Sequence, residues 1–192
     1  MRFAAILPFV FLAPAWGQVE KPVASAAPGA VTRIEKPRIA RQTIAELEKQ
    51  FDGQLSRIGG AADPVDLLGL TRGTYLNDYG AVFTAEVSLI VTPSTSPFRP
   101  VITDELKAQV HQRKLEHLPL LKKAMREMVH NTAMTFGGAG ERMNLLTPGT
   151  QFVLAVRILY LPWENTAGLP GQVIMKADLK GALENKIQEE IQ

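Results

Sequence analysis

The stretch DELKAQVHQRKLEHLPLLKKAMREMVHNTAMTF, residues 104–136, decides the fold. Asp104 can cap a helix N-terminus, the helical pattern runs to Phe136, and the glycines of FGGAG stop it. Pro119 stands in the middle. A proline inside a helix removes a backbone hydrogen bond and costs about 3 kcal/mol, whereas in the first turn of a new helix it costs little. The segment is therefore one kinked helix or two helices meeting at Pro119. A single helix of this length would run about 50 Å, against roughly 33 Å for a ten-residue strand. That mismatch favours a chain that turns back at Pro119, with two helices of about 22 Å each lying on a sheet.

Before this segment the hydrophobic period changes from helix to strand. In AVFTAEVSLIV, Ala81, Phe83, Ala85, Val87, Leu89 and Val91 fall on one side and Val82, Thr84, Glu86, Ser88 and Ile90 on the other. DLLGLTRGTYL precedes it and pairs with it as a hairpin through the turn NDYG, residues 77–80. Gly69 and Gly73 predict a bulge or a close backbone approach in the first of these strands. Earlier still, TIAELEKQFDGQLSRI repeats Ile44, Leu47, Phe51, Leu55 and Ile58 at helical spacing. Thr43 and Glu46 form a candidate capping box, and Gly59-Gly60 ends the helix.

After the long segment, FVLAVRILYL (152–161) and QVIMKADL (172–179) read as a second hairpin around the loop PWENTAGLPG. ALENKIQEEIQ, with Leu183, Ile187 and Ile191 on one stripe, reads as a short closing helix. The expected architecture is α+β: a four-stranded, mainly antiparallel sheet made of two β-hairpins, with helices packed on one face, in the order α-ββ-α(α)-ββ-α.

The first 41 residues read differently. Arg2, an apolar run from Phe3 to Ala13 and the small-x-small site Ala15-Trp16-Gly17 give residues 1–17 the pattern of a cleavable signal peptide. The run of about 11 residues is interrupted by Pro8 and falls short of the roughly 20 needed to span a bilayer. Residues 18–41, with Pro22, Pro28 and Pro37 among small and charged residues, read as a disordered tether, leaving 42–192 as one α+β domain. The expected location is periplasmic or secreted, with no transmembrane segment in the mature chain.

The chain has 192 residues, no cysteine and a formal net charge of +2. Disulfides, thiolate metal sites and a cysteine nucleophile are excluded. No basic run marks a nucleic-acid surface, so nucleic acid is not an expected partner. His111, His117 and His130 are spaced by 6 and 13 residues, which on an ideal helix points His111 and His130 away from the face of His117. Glu127-Met128-Val129-His130 matches one Glu-x-x-His element, but the second copy that a di-metal bundle needs is missing. No serine lies in Gly-x-Ser-x-Gly or Ser-x-x-Lys, and Gly137-Gly138-Ala139-Gly140 follows a helix rather than a strand, the wrong context for a phosphate loop. No cofactor is expected.

What remains is recognition. Tyrosine and tryptophan give stiff contact surface with a polar handle, and Tyr75, Tyr79 and Trp163 lie at or near the two hairpin turns. With Arg72, Asn77, Asp78 and Glu164 they form the expected binding set, one composite site if both turns share an end of the sheet. The expected function is an exported envelope protein acting as a non-catalytic module that binds an envelope protein or a cell-wall or small-molecule ligand. The alternative is an envelope hydrolase drawing its acid and base from Asp78, Glu164 and a histidine. Two further surfaces are open to assembly: the sheet edges, and an outer sheet patch of Val82, Ile90 and Ile174.

Overall fold

The computed structural model describes residues 39–93, 101–137 and 146–192. The expected signal peptide, most of the tether, and the serines and glycines of 94–100 and 138–145 lie outside the described residues. Among the described residues, no helix is long and apolar enough to cross a membrane.

The fold is mixed α+β. Helix α1 (Arg41–Leu55) is followed by strands β1 (Asp66–Leu67), β2 (Arg72–Leu76) and β3 (Gly80–Ser88). Helix α2 (Asp104–Gly137) leads to β4 (Gln151–Ile158) and β5 (Gln172–Asp178), and α3 (Leu179–Leu183) to β6 (Gln188–Ile191). The sheet thus has six strands rather than four. Its order is β1-β3-β4-β5-β6, with β2 pairing β3 on the edge that β1 shares. Residues 68–71 bulge out between β1 and β2, where Gly69 sits.

The expectation of a turn-back at Pro119 fails, because α2 is one helix of 34 residues with Pro119 inside it. A single crossing brings the chain back to the end of the sheet where β3 began, so β4 lies parallel to β3, with Gly80 opposite Gln151 and Val87 opposite Ile158. The two hairpins are joined by a parallel pair instead of forming an antiparallel row. Pro119 is on the exposed side of α2, where water can satisfy the carbonyl that loses its partner. The opposite side of α2 carries Val110, Leu121, Met125, Met128, Ala133 and Phe136 into the core.

One face of the sheet makes that core. Phe83, Phe152, Leu154, Val156, Val173 and Met175 join the buried stripes of α1 and α2 in one cluster. Phe51 of α1 meets Phe83 edge-on at 4.8 Å, and Phe136 of α2 stacks on Phe152 at 5.8 Å. Ile44, Leu47, Phe51, Leu55 and Ile58 are all buried, as their spacing predicts. The start of α1 differs: Ala40 occupies the N-cap without a side-chain bond, and Thr43 lies inside the helix. Arg41 begins the helix three residues early, held by Glu48 and by the Gly73 carbonyl, and Ile39 before it is already buried in the core.

The C-terminal segment is a correction as well. Asp178 caps α3 by accepting from the Gly181 N–H, but the helix stops at Leu183. Asn185 then takes the left-handed conformation at φ 58, and the chain returns as strand β6 on β5. Ile90 also leaves its expected place: β3 ends at Ser88, the alternation slips, and Ile90 is fully buried while Val91 is exposed.

Candidate functional site

Parallel pairing of β3 and β4 separates the sequence-predicted site residues. The Gln151 N–H donates to the Tyr79 carbonyl at the start of β4, whereas the Leu159 N–H donates to the Val87 carbonyl at its end. Eight strand residues, about 26 Å, lie between the NDYG turn and the loop that carries Trp163 and Glu164. Tyr75, Asn77, Asp78 and Tyr79 stay together at one end, with Arg72 at the far end of β2. Trp163 and Glu164 sit at the other end, so the composite site does not form.

Glu164 instead enters a buried ionic cluster. The α2 stripe that carries Val110 and Leu121 also carries Lys114 and His117, both buried. Lys114 and Glu164 pair with side chains 0% and 1% exposed. The Lys114 ammonium also donates to Ser88 Oγ at 3.2 Å and lies 5.0 Å from the ring centre of Tyr160. Glu164 Oε1 is buried with no hydrogen-bond partner among the described residues. One turn of α2 is thereby fastened to the end of β3 and to the β4–β5 loop. Lys114 was invisible as a site residue because a lysine on a helix normally keeps its head in water. Its one signal was position, four residues after Val110 and seven before Leu121.

A serine beside a lysine suggests a nucleophile and its base, but a base needs a free amine lone pair. Here the Glu164 carboxylate holds the amine as its counter-ion, although burial pulls Lys114 below the ordinary lysine range. On the neighbouring flank, Arg113 Nε donates to Asp63 Oδ2 at 2.9 Å. His117 bridges the Arg113 and Asp63 carbonyl oxygens at 2.8 and 2.9 Å, with Asp63 Oδ2 at 3.5 Å. His117 is thus a buried clamp. His111 and His130 bond the carbonyls of Asn165 and Ala182.

Burial, and next the charge of Glu164, push the Tyr160 phenol up to about 12. A folded value above the ordinary 10 means that Tyr160 contributes stability below pH 10 and loses it as pH rises from 10 to 12. Phenolate absorbance of the wild type minus that of Tyr160→Phe is expected to show a step near pH 12. Glu164→Gln should move that step down while leaving it above 10, since burial is the larger cause. A step at 10 in the wild type would contradict the buried placement of Tyr160.

The edge strand β2 is partly closed. The Gly73 N–H donates to Glu48 Oε1 at 2.7 Å, and its carbonyl accepts from Arg41 at 3.1 Å. Burial alone would push the Glu48 carboxyl up, but the bonds from Arg41 and Gly73 hold it below the ordinary range. A partner strand adding at this edge would find both backbone groups of Gly73 occupied.

Two open hollows border the sheet. One, of about 700 Å³, is bordered by Asp78 and Tyr79 of the turn, Gln151 of β4, Lys176 and Asp178 of β5, and Lys186 before β6. The other, of about 410 Å³, lies by the bulge, between Leu70, Arg72, Thr84, Ala155 and Arg157. The first retains two members of the predicted binding set. Comparison of the chain with protein-family models, with curated proteins and with solved structures finds no match.

Proposed function

We propose that this chain is an exported envelope protein acting as a non-catalytic binding module, and that its ligand site is the polar cleft beside Tyr79. One contrast carries the reading. The one cluster among the described residues that sets a serine beside a lysine, a carboxylate and a histidine, namely Ser88, Lys114, Glu164 and His117, is sealed beneath the sheet end, with the Lys114–Glu164 pair at most 1% exposed. The cleft beside Tyr79 is open, with carboxylates, amines and an amide on its walls. Tyr79 is 38% exposed, enough to offer a ring face, and Lys176 forms no ion pair among the described residues. A ring beside mixed donors and acceptors suits a polar, hydroxyl-rich ligand such as a cell-wall glycan. The alternative hydrolase reading draws on Asp78 and Glu164 together, and these lie at opposite ends of β4.

Soluble cell-wall glycan fragments titrated by calorimetry test this proposal, with thermal unfolding of each variant as the folding control. Tyr79→Ala is expected to weaken binding at least tenfold, and Trp163→Ala, at the other end of the sheet, to leave it unchanged. Binding that survives Tyr79→Ala, or is lost with Trp163→Ala in a folded protein, overturns the assignment.

A further inference from the structure

The helix-free face of the sheet can be read as a grid from the strand registers. One row runs Arg72, Thr84, Ala155, Ile174, Glu190 across β2, β3, β4, β5 and β6. The next runs Thr74, Val82, Val153, Lys176, Gln188. Side chains one residue away along β3, β4 and β5 point into the core, so both rows face outward. Apart from Lys176, the middle of the grid is apolar or small, and β4 is its central column.

We propose that this face binds a second copy of the chain, as a two-fold sheet-on-sheet dimer with its axis along β4. The charge pattern selects both occupant and orientation. A two-fold along the central strand lays β2 of one copy over β6 of the other, β3 over β5 and β4 over β4, with rows kept. Arg72 then faces Glu190 of the second copy, and Glu190 faces Arg72, twice per dimer. Ala155 and Val153 meet their own copies, Thr84 meets Ile174, and Val82 meets the aliphatic stem of Lys176. A two-fold across the strands would set the Arg72 edge against the Arg72 edge. Arg157, at one end of β4, faces its own copy, and each arginine has Glu86 beside it at 3.4 Å. Aligned sheets cross at about 30°, which spreads that end of the grid and leaves the Tyr79 cleft at the rim.

Size sets the expected strength. Five strands about 4.8 Å apart and seven residues of about 3.3 Å give roughly 550 Å² per copy, about 1,100 Å² in all. That is near the lower bound of stable interfaces, about 1,200 Å², and calls for a micromolar, concentration-dependent dimer. The inference rests on the strand registers and edge charges, and it shares Lys176 and Gln188 with the wall of the ligand cleft.

Sedimentation equilibrium of the purified chain from about 1 to 500 µM tests it. The mean mass is expected to rise from one chain toward two. Arg72→Glu and Glu190→Arg should each weaken association at least tenfold, and the Arg72→Glu/Glu190→Arg double variant should restore it. The chain has no cysteine, so Ala155→Cys gives a single thiol on the axis. A short bismaleimide should link that variant to itself, but not Lys123→Cys, whose residue is exposed on α2. A monomer throughout the range, or a double variant as weak as the singles, overturns the proposal. So does a folded Ala155→Cys monomer whose thiol resists alkylation, since another part of the chain would then cover the face.

Discussion

Truncating Glu164 to alanine is expected to destabilise the protein by about 3–5 kcal/mol, and to lower the melting temperature by roughly 6–20 °C for a domain of this size. The reasoning starts from what the variant leaves behind. Lys114 is fully buried, and Glu164 is its only ion-pair partner among the described residues. Without the carboxylate, the ammonium retains Ser88 Oγ and the face of Tyr160, neither of which carries a full negative charge. It must then lose its proton in the fold or drag the first half of α2 toward water. Burial already places Lys114 below the ordinary lysine range, and losing Glu164 removes the two influences that raise it. Between that lowered folded value and the unfolded value of 10.5, the unfolded chain binds more protons, so this group's contribution to stability rises with pH. The Glu164→Ala deficit should therefore shrink as pH approaches 10.5, which urea unfolding at pH 7 and 10 would measure. A Lys114→Met/Glu164→Leu double variant is expected to be more stable than Glu164→Ala, because no charge is stranded. Equal losses in the single and double variants would mean that the pair acts through packing alone.

The same cluster explains why the topology is not legible in the sequence. Helix or strand period was legible wherever one face of an element is apolar, as in α1 and in β3 up to Ser88. Pro119 was weighed by its local cost of about 3 kcal/mol, and what offsets that cost is tertiary. The turn just before it is fastened by Arg113 and His117 to Asp63 and by Lys114 to Glu164. The turns just after it bury Leu121 and Met125. Anchors on both sides keep α2 continuous, and no local propensity reports them. From that one element followed the parallel pair, and with it the loss of the composite site. The tail was misread for a related reason. Leu183, Ile187 and Ile191 fit a helical stripe, but Ile187, Glu189 and Ile191 fit a strand equally well. The choice falls to β5, whose free edge offers hydrogen bonds, and to Lys122 and Arg126, which grip Glu189. Asp78 and Tyr79, two of the seven expected binding residues, border one cleft because they are neighbours in sequence and need no long-range geometry to stay together.

Gly80→Ala is expected to cost more than about 4 kcal/mol, a loss reserved for a few identifiable mechanisms, and two of them coincide here. Gly80 has φ 144, a conformation that L-residues rarely adopt. A Cβ there would also stand closer to the Gln151 carbonyl oxygen than any non-bonded contact allows, and 2.6 Å from the Gln151 nitrogen. Both clashes are with backbone, so no rotamer change relieves them. The clash lies where the β3–β4 register begins, since Gly80 pairs with Gln151, and Gln151 bonds the Tyr79 carbonyl. Relief requires the first rung of the parallel pair to open, which would also move Tyr79 and the mouth of the cleft. Gly60→Ala gives the reference cost of a left-handed position in open space: φ there is 77, and nothing lies within 4 Å of an added Cβ. That variant should lose only about 1–2 kcal/mol. Denaturant unfolding of both variants gives the comparison, and the difference between them combines the clash with β4 and the less accessible φ of Gly80. If the two lose the same amount, the NDYG turn can swing clear of β4 without disturbing the sheet, and the cleft beside Tyr79 would not be held rigid by the fold.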